Sequence, residues 1–254
     1  MSTPIESTFP DIRSVAASAP FTWLAAGWQD LRAAPGASLF YGVVFVIMGY
    51  LLSAFFASSP HITLSLATGF TLLGPFLALG LYDLSRHRER GVQPQLAASL
   101  SAWRSNPGAI GFYAIILLLL FAGWGRVSVV LVALFFSGSM PSLSTFLHHL
   151  VFSGENLTFL AIYFSVGAAF ALLVFALSVI SIPLMMDRGT DTITAMIASF
   201  LALTRSLPAM LIWGGLIVTL IFVGLATFYV GLAITAPLIG HATWHAYRAL
   251  VAPA

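Results

Sequence analysis

Residues 103–108 of the chain read Trp-Arg-Ser-Asn-Pro-Gly, and the Arg-x-x-Pro pattern in this stretch leads directly into a long apolar run. The same pattern occurs at residues 32–35 and 205–208. Around each copy the order is an amphipathic segment, the arginine, the proline, one apolar run and a second apolar run that contains a proline of its own. Such repetition predicts a fold assembled from three similar units.

The composition indicates which solvent surrounds the protein. Of the 254 residues, 59% are hydrophobic and only 7% are charged. This leaves too little polar surface to cover a soluble domain, so lipid must surround most of the chain. The net charge of +2 is spread over separate loops and forms no basic stripe, which argues against nucleic acid as a partner. The absence of cysteine excludes disulfides and thiol catalysis.

The apolar runs define the predicted membrane spans, because a helix needs about 20 residues to cross a hydrocarbon core of about 30 Å. The last run is too long for a single helix, and we predict that it folds into a hairpin that turns within Leu225–Gly231. The result is an all-α bundle of six transmembrane helices in three pseudo-repeated hairpins. The runs are Pro35–Ala57, Ile62–Tyr82, Pro107–Phe136, Leu157–Met186 and the stretch from Pro208 to Trp244.

A short amphipathic helix is predicted before each hairpin, lying in the membrane interface. In the first unit Phe21, Leu24, Trp28 and Leu31 recur at helical spacing. Tryptophan is typical of helices at the level of the lipid headgroups. Equivalent stripes in the other units consist of Leu96, Leu100 and Trp103, and of Ile193, Ile197, Phe200 and Thr204.

The domain organisation and the orientation follow from these elements. We expect residues 1–19 to be a disordered cytoplasmic tail and residues 20–254 to form a single transmembrane domain. Its pseudo-repeats are residues 20–90, 91–189 and 190–250. Nine of the ten arginines fall on the side that carries both termini in this arrangement, and the positive-inside rule makes that side cytoplasmic.

Chemistry at membrane depth has few candidate residues. The apolar runs contain no Asp, Glu, Asn or Gln, and their only cation is Arg126. Proton relays, ion-coupled transporters and intramembrane enzymes use ionisable groups at that depth, so we predict no catalytic site and no cofactor. His241 and His245 lie four residues apart, share one helix face and are the candidates for a metal or cofactor site. Alternatively, they form an interfacial belt that bonds to lipid phosphates or to the loop helices.

Charged residues at the helix ends suggest a second, structural arrangement. Pseudo-threefold packing would place a residue that begins an odd-numbered span beside one that ends an even-numbered span. Such pairs would satisfy buried charges and join the hairpins, and the alternative is a lipid-headgroup site. The predicted rim pairs draw on Arg32, Arg104 and Arg205 at helix starts and on Asp83, Asp187 and His245 at helix ends.

Two motifs carry a resemblance to a known family. They are Ser-Ile-Pro-Leu-Met-Met-Asp-Arg at residues 181–188 and Pro-Leu-Ile-Gly-His-Ala-Thr-Trp-His-Ala-Tyr-Arg at residues 237–248. With them, nearly all of the chain after the tail resembles a bacterial family of integral membrane proteins catalogued as a domain of unknown function. Some members carry a label that relates them to cytochrome c oxidase. The resemblance implies an inner-membrane protein of a Gram-negative bacterium.

Three function hypotheses follow. The preferred one is a non-catalytic accessory or assembly subunit of a larger inner-membrane complex, such as a respiratory one, with membrane lipids and other subunits as partners. The alternative is a channel or carrier for a small or apolar solute. The third is an enzyme that acts on lipid at the cytoplasmic rim through His241 and His245. The lumen of a channel would be lined by Thr63, Ser65, Thr68 and Thr71.

Overall fold

The computed structural model describes residues 9–56, 77–135 and 157–253, and within these ranges the chain is helical throughout its regular structure. The predicted all-α membrane bundle is confirmed. The helices of the described residues are α1 (Ala19–Ala33), α2 (Pro35–Phe56), α3 (residues 77–89), α4 (Leu96–Ser99), α5 (Pro107–Phe135), α6 (Leu157–Ser178), α7 (Ser181–Arg188), α8 (Thr192–Arg205), α9 (Leu207–Ala226) and α10 (Leu232–Leu250).

Four helical stretches of the described residues are long and apolar enough to cross a membrane: Pro35–Ala54, Pro107–Phe135, Leu157–Arg188 and Leu207–Ala226. The predicted second span lies mostly outside the described residues, as do Thr63, Ser65, Thr68 and Thr71. Helix α10, the predicted sixth span, is not among the four. The reason is that its second half carries His241, His245 and Arg248.

Each Arg-x-x-Pro sequence lies at a junction between two helical elements. Pro35 begins α2, Pro107 begins α5, and Pro208 is in the first turn of α9. Proline suits a helix start, because the amide hydrogen that it lacks would have no partner there. The preceding Arg32 and Arg205 lie in the last turns of α1 and α8, where the helix dipole favours a positive charge. The pseudo-repeat itself stays a prediction.

Prolines and turns shape the second halves of the hairpins. The stretch Leu157–Arg188 breaks between α6 and α7. Pro183 explains the break, because its ring would clash with the carbonyl of Val179 in a continuous helix. The turn between α9 and α10 occupies residues 227–231, within the predicted range. Phe228 and Tyr229 both adopt positive φ in this turn.

The predicted amphipathic helices exist, although the middle one is divided into α4 and a 3-10 turn at Ala102–Ser105. Most residues of their apolar stripes face away from the protein: Phe21 is 56% exposed, and Ile193 and Phe200 are exposed as well, whereas Leu31 is buried. The faces that turn inward carry small residues such as Gly27 and Ala198. An outward apolar stripe is the arrangement expected of a helix whose surroundings are lipid.

Residues 9–18, expected to belong to a disordered tail, instead pack on the bundle. Ile12 is 4% exposed and forms an antiparallel bridge with Val251. A guanidinium nitrogen of Arg205 donates a hydrogen bond to the Ile12 carbonyl at 2.6 Å, and the amide of Val15 donates one to Ser206 Oγ at 3.1 Å. These backbone bonds and the buried isoleucine offset the entropy cost of ordering the segment, which its small polar composition alone does not reveal.

Helix α10 is the central element of the described bundle, since it packs against α1, α2 and α9. Two glycines permit its closest approaches. A Cβ atom at Gly42 of α2 would lie 2.0 Å from the carbonyl oxygen of Ala233, and one at Gly27 of α1 would lie 2.6 Å from the amide nitrogen of Ala242. Backbones therefore touch at both contacts, as is common in membrane bundles.

Candidate functional site

A network of ionic hydrogen bonds joins α1, α3 and α10 around Asp30, whose residue exposure is 2%. One carboxylate oxygen pairs with Arg88, and the other accepts a hydrogen bond from His245 Nε2 at 2.8 Å. Charge-assisted bonds of this kind are stronger than neutral ones. We call the end of the bundle that carries Asp30, Arg88, Asp187 and His245 the polar end.

The electrostatics of Asp30 favour its ionised form. Burial alone would raise the pKa of the Asp30 carboxyl, but hydrogen bonds from His245, Ser85 and Arg88 hold this pKa below its usual value. Bonds donated to a carboxylate stabilise its charge and oppose the desolvation penalty. Asp30 therefore remains a negative charge that fixes the cationic and polar side chains around it.

His241 lies next to this ion pair and is completely buried. Its Nε2 is 2.9 Å from Ser38 Oγ of α2, and its Nδ1 is 2.8 Å from Ser85 Oγ of α3. Both ring nitrogens are thus engaged by hydroxyls. Among the described residues, no three His, Cys, Asp or Glu side chains come close enough together to hold a metal ion.

A second network at the polar end connects α3, α7 and α10. Glu89 accepts hydrogen bonds from Trp244 Nε1 at 2.9 Å and from Arg248 Nε at 2.8 Å. Asp187 accepts bonds from the Tyr247 hydroxyl at 2.8 Å and from Arg90 at 3.2 Å. Each carboxylate therefore joins different helices, and the two networks tie most of the polar end together.

The expected rim residues lie at the polar end, but their partners differ from the expected ones. Asp83 pairs within α3, with Arg86 at 2.6 Å and His87 at 3.2 Å. Arg104 stacks over the Trp103 ring at 5.5 Å from its centre. None of the hydrogen bonds and ion pairs found between described residues joins Arg32, Arg104 or Arg205 to Asp83, Asp187 or His245. The two aspartates pair instead with arginines of α3, of the residue that follows it and of α10.

Sequence reasoning missed the acid at the centre of the first network. Asp30 stood on the polar side of an interfacial helix, a position typical of contact with water, and nothing marked it as buried. Ser38 and Ser85 also carried no signal, because a serine within or beside an apolar run is common. The His241 and His245 spacing was the one usable signal, since it placed both rings on one face of α10.

A large apolar groove lies outside both networks, between α5, α6 and α9. Its volume is about 840 Å³, within the range of about 300–1,000 Å³ that is usual for small-molecule sites. All three helices belong to candidate membrane spans, so the groove lies at membrane depth. We call it the α5–α6–α9 groove, and its lining is Leu117, Leu120, Phe121, Trp124, Gly167, Ala168, Phe170, Ala171, Leu172, Val174, Phe175, Ser178, Met210, Leu211, Gly214, Gly215, Ile217 and Val218.

The lining limits what the groove can do chemically. Not one of these residues carries an ionisable side chain, so the lining offers no general acid and no general base. Aromatic and aliphatic side chains alternate with glycine and alanine around it. Such a surface binds apolar matter by contact and dispersion.

Comparison with the sequence models of known families finds a match. Residues 62–187 match the sequence model of a family described as "Predicted integral membrane protein (DUF2189)". This stretch includes α5 and α6, two of the three walls of the groove. No curated protein and no solved structure matches the chain.

Proposed function

Residues 62–187 belong to the DUF2189 family of predicted integral membrane proteins, and from this premise we propose that the chain is a non-catalytic membrane protein that binds a small apolar solute in the α5–α6–α9 groove. The groove itself carries the proposal: about 840 Å³ between three candidate spans with no ionisable lining residue. An apolar solute dissolved in the bilayer reaches such a groove without crossing a polar barrier. With such a groove, the protein would act as a carrier for apolar solutes.

The state of the polar side chains supports binding rather than catalysis. Both carboxylate oxygens of Asp30 and both ring nitrogens of His241 already have protein partners. A general base must reach a substrate proton with a free lone pair. The third hypothesis is an enzyme that acts on lipid. In such an enzyme, His241 would first have to break one of its two hydrogen bonds to serine hydroxyls.

Filling the groove tests the proposal. Gly215 lines the groove, and a Cβ atom at this position meets nothing within 4 Å. We expect Gly215→Phe to reduce photolabelling of the groove by a long-chain alkyl diazirine about tenfold, because a solute that loses about 1.4 kcal/mol of apolar contact binds tenfold less. The measurement is mass spectrometry of labelled peptides from protein in lipid nanodiscs.

The matched control for this variant is Gly111→Phe. Gly111 also lies in a spanning helix with open space around its Cβ position, but it does not line the groove. Labelling should persist in this variant. Equal labelling of the groove and of lipid-exposed residues elsewhere, such as Ile47 of α2, would refute a specific site.

A second candidate function is an accessory or assembly subunit of a larger inner-membrane complex. The observation in its favour is the set of apolar faces that the interfacial helices turn outward, with Trp28, Leu100 and Ile197 exposed. Exposed apolar side chains of this kind provide surfaces for partner subunits as well as for lipid. Copurification of other subunits at fixed stoichiometry from gently solubilised membranes would support this function, and a monodisperse lone protein would contradict it.

The orientation that accompanies both functions places the polar end in the cytoplasm of a bacterium, by the positive-inside rule. Because the chain has no cysteine, single-cysteine variants report accessibility directly. In intact cells, we expect a membrane-impermeant maleimide to label Phe228→Cys, in the exposed turn after α9, and to spare Gln93→Cys, in the loop after α3. Gln93→Cys should react after permeabilisation, and the reverse pattern would invert the proposed topology.

A further inference from the structure

Most arginines of the polar end have partners within the protein. Those that pair with carboxylates are Arg86, Arg88, Arg90 and Arg248. Arg188 and Arg205 donate hydrogen bonds to backbone carbonyl groups. The side chains of Arg13, Arg32 and Arg104 are exposed, and they form no hydrogen bond or ion pair with any described residue. Their guanidinium groups are therefore available to an anion from outside the protein.

The polar end carries more positive than negative charge. Its described residues include nine arginines and six carboxylates, which leaves an excess of three positive charges when the histidines are neutral. The carboxylates are those of Asp11, Asp30, Asp83, Glu89, Asp187 and Asp191. An excess of one sign attracts ions of the other sign from the surroundings. In a membrane protein, those surroundings include the headgroups of the lipids.

Arg32 lies on the lipid-facing side of the interfacial helix α1. It follows Phe21 by eleven residues and Trp28 by four, and this spacing places all three side chains on one face of a helix. Trp28 is 41% exposed. Because Phe21 and Trp28 face lipid, the long stem of Arg32 can lie along the same apolar surface while its guanidinium reaches the headgroups.

The second unit repeats this combination of tryptophan and arginine. Leu100 and Trp103 are exposed, and the guanidinium carbon of Arg104 lies 5.5 Å from the centre of the Trp103 ring. A tryptophan ring attracts a cation that lies over its face. The stack occupies one face of the guanidinium, whereas its N–H groups point outward in the plane of the group. Trp103 therefore holds Arg104 at the lipid-facing surface with its donors free.

The third unit uses its arginine differently. Arg205 ends α8 after Phe200 and Thr204, with no tryptophan on this stripe, and it donates its hydrogen bond to the carbonyl of Ile12 at 2.6 Å. This arginine is thus engaged by the segment of residues 9–18. The structure therefore offers two equivalent sites at interfacial helices, and not three.

We propose that Arg32 with Trp28, and Arg104 with Trp103, each bind the headgroup of an acidic phospholipid. The forked N–H donors of a guanidinium match two oxygens of the lipid phosphate. A zwitterionic lipid would bring a cationic group to a surface that is already too positive. Free phosphate would lack the acyl chains that the exposed tryptophan and its apolar neighbours contact. The two sites are separate from the groove, and the inference does not depend on the proposed function.

Two photoreactive phospholipids test the proposal: a phosphatidylglycerol and a phosphatidylcholine with the same diazirine close to the acyl carbonyl. The full chain is placed in phosphatidylcholine nanodiscs that contain one probe, and mass spectrometry quantifies the labelled peptic peptides that contain Trp28 or Trp103. We expect phosphatidylglycerol to label both peptides about fivefold more, because one arginine at a membrane surface contributes about 1 kcal/mol of attraction to acidic lipid.

Single substitutions assign the preference to each site. In Arg32→Gln, the two probes should label the Trp28 peptide equally, while the preference at the Trp103 peptide persists. Arg104→Gln should give the reverse result. Because both side chains are exposed and form no hydrogen bond with a described residue, the circular dichroism and the size-exclusion profile of the variants should match those of the wild type.

The matched control is Arg90→Gln. The Arg90 side chain is 59% exposed and pairs with Asp187, so this variant removes the same charge from the polar end without changing either site. Both preferences should persist in it. An equal loss in Arg32→Gln and Arg90→Gln would mean that the net charge, and not a local site, attracts the lipid.

Two further outcomes would overturn the proposal. One is equal labelling by the two probes in the wild-type protein. The other is loss of the preference when inorganic phosphate replaces chloride at constant ionic strength, because the sites would then take a free anion. Neither outcome affects the proposed function, since Arg32 and Arg104 do not line the α5–α6–α9 groove.

Discussion

Replacing Asp30 with alanine is expected to lower the free energy of unfolding by about 3 kcal/mol, the lower end of the range for breaking a buried ion pair from one side. The variant leaves Arg88 and His245 without their shared carboxylate at the contact between α1, α3 and α10. The effect stays at the lower end because the Arg88 side chain is 37% exposed and regains hydration. Denaturant-induced unfolding in detergent micelles, followed by circular dichroism, measures this change.

The control for this prediction is Asp11→Ala. Asp11 is also an aspartate of the polar end, but its side chain is exposed, and its backbone oxygen accepts a hydrogen bond from the amide of Ala252. Its replacement should change the free energy of unfolding by no more than about 0.5 kcal/mol, as is usual at the surface. Similar losses in the two variants would mean that the Asp30 network does not hold the helices together.

Gly42→Ala is expected to destabilise the protein by about 2–3 kcal/mol, because an added methyl group at a backbone contact forces the helices apart. The new Cβ atom would lie 2.0 Å from the carbonyl oxygen and 2.6 Å from the carbonyl carbon of Ala233. Both are backbone atoms of α10, so no side chain can rotate to make room. The loss outweighs the gain of about 1 kcal/mol that alanine brings to a helix.

Gly36→Ala gives the opposite expectation in the same helix. Nothing lies within 4 Å of a Cβ atom at Gly36, and both glycines belong to α2. The free energy of unfolding should therefore rise by up to about 1 kcal/mol in this variant. If the two variants change the free energy of unfolding in opposite directions, the close contact between α2 and α10 is established. A stabilised Gly42→Ala protein would exclude that contact.

The Asp30 ion pair and the contact between Gly42 and Ala233 both lie in the part of the bundle that does not contain the groove. The polar networks and the glycine contacts hold α1, α2, α3, α7 and α10 together. The groove lies between α5, α6 and α9, where most contacts are apolar. Substitutions in the groove therefore leave both polar networks and both glycine contacts in place.

Local sequence determined much of the architecture. Long apolar runs specify spanning helices, because the bilayer requires every backbone group to be bonded within its own helix. Proline after Arg-x-x marked the starts of α2, α5 and α9, and the length of the last run placed the turn before α10 within Leu225–Gly231. All of these features depend on residues that are neighbours in sequence, so one sequence suffices to predict them.

The tertiary structure alone decided which polar groups meet and where the groove lies. Asp30 is joined to residues 58 and 215 positions away, and Ile12 to Val251, which makes residues 9–18 part of the bundle. The groove needs walls from three helices, α5, α6 and α9. Hydropathy describes the depth of a residue in the membrane but not its rotation about the helix axis or its neighbours. Those are set by the packing of distant helices, where small differences in close contact decide which faces touch.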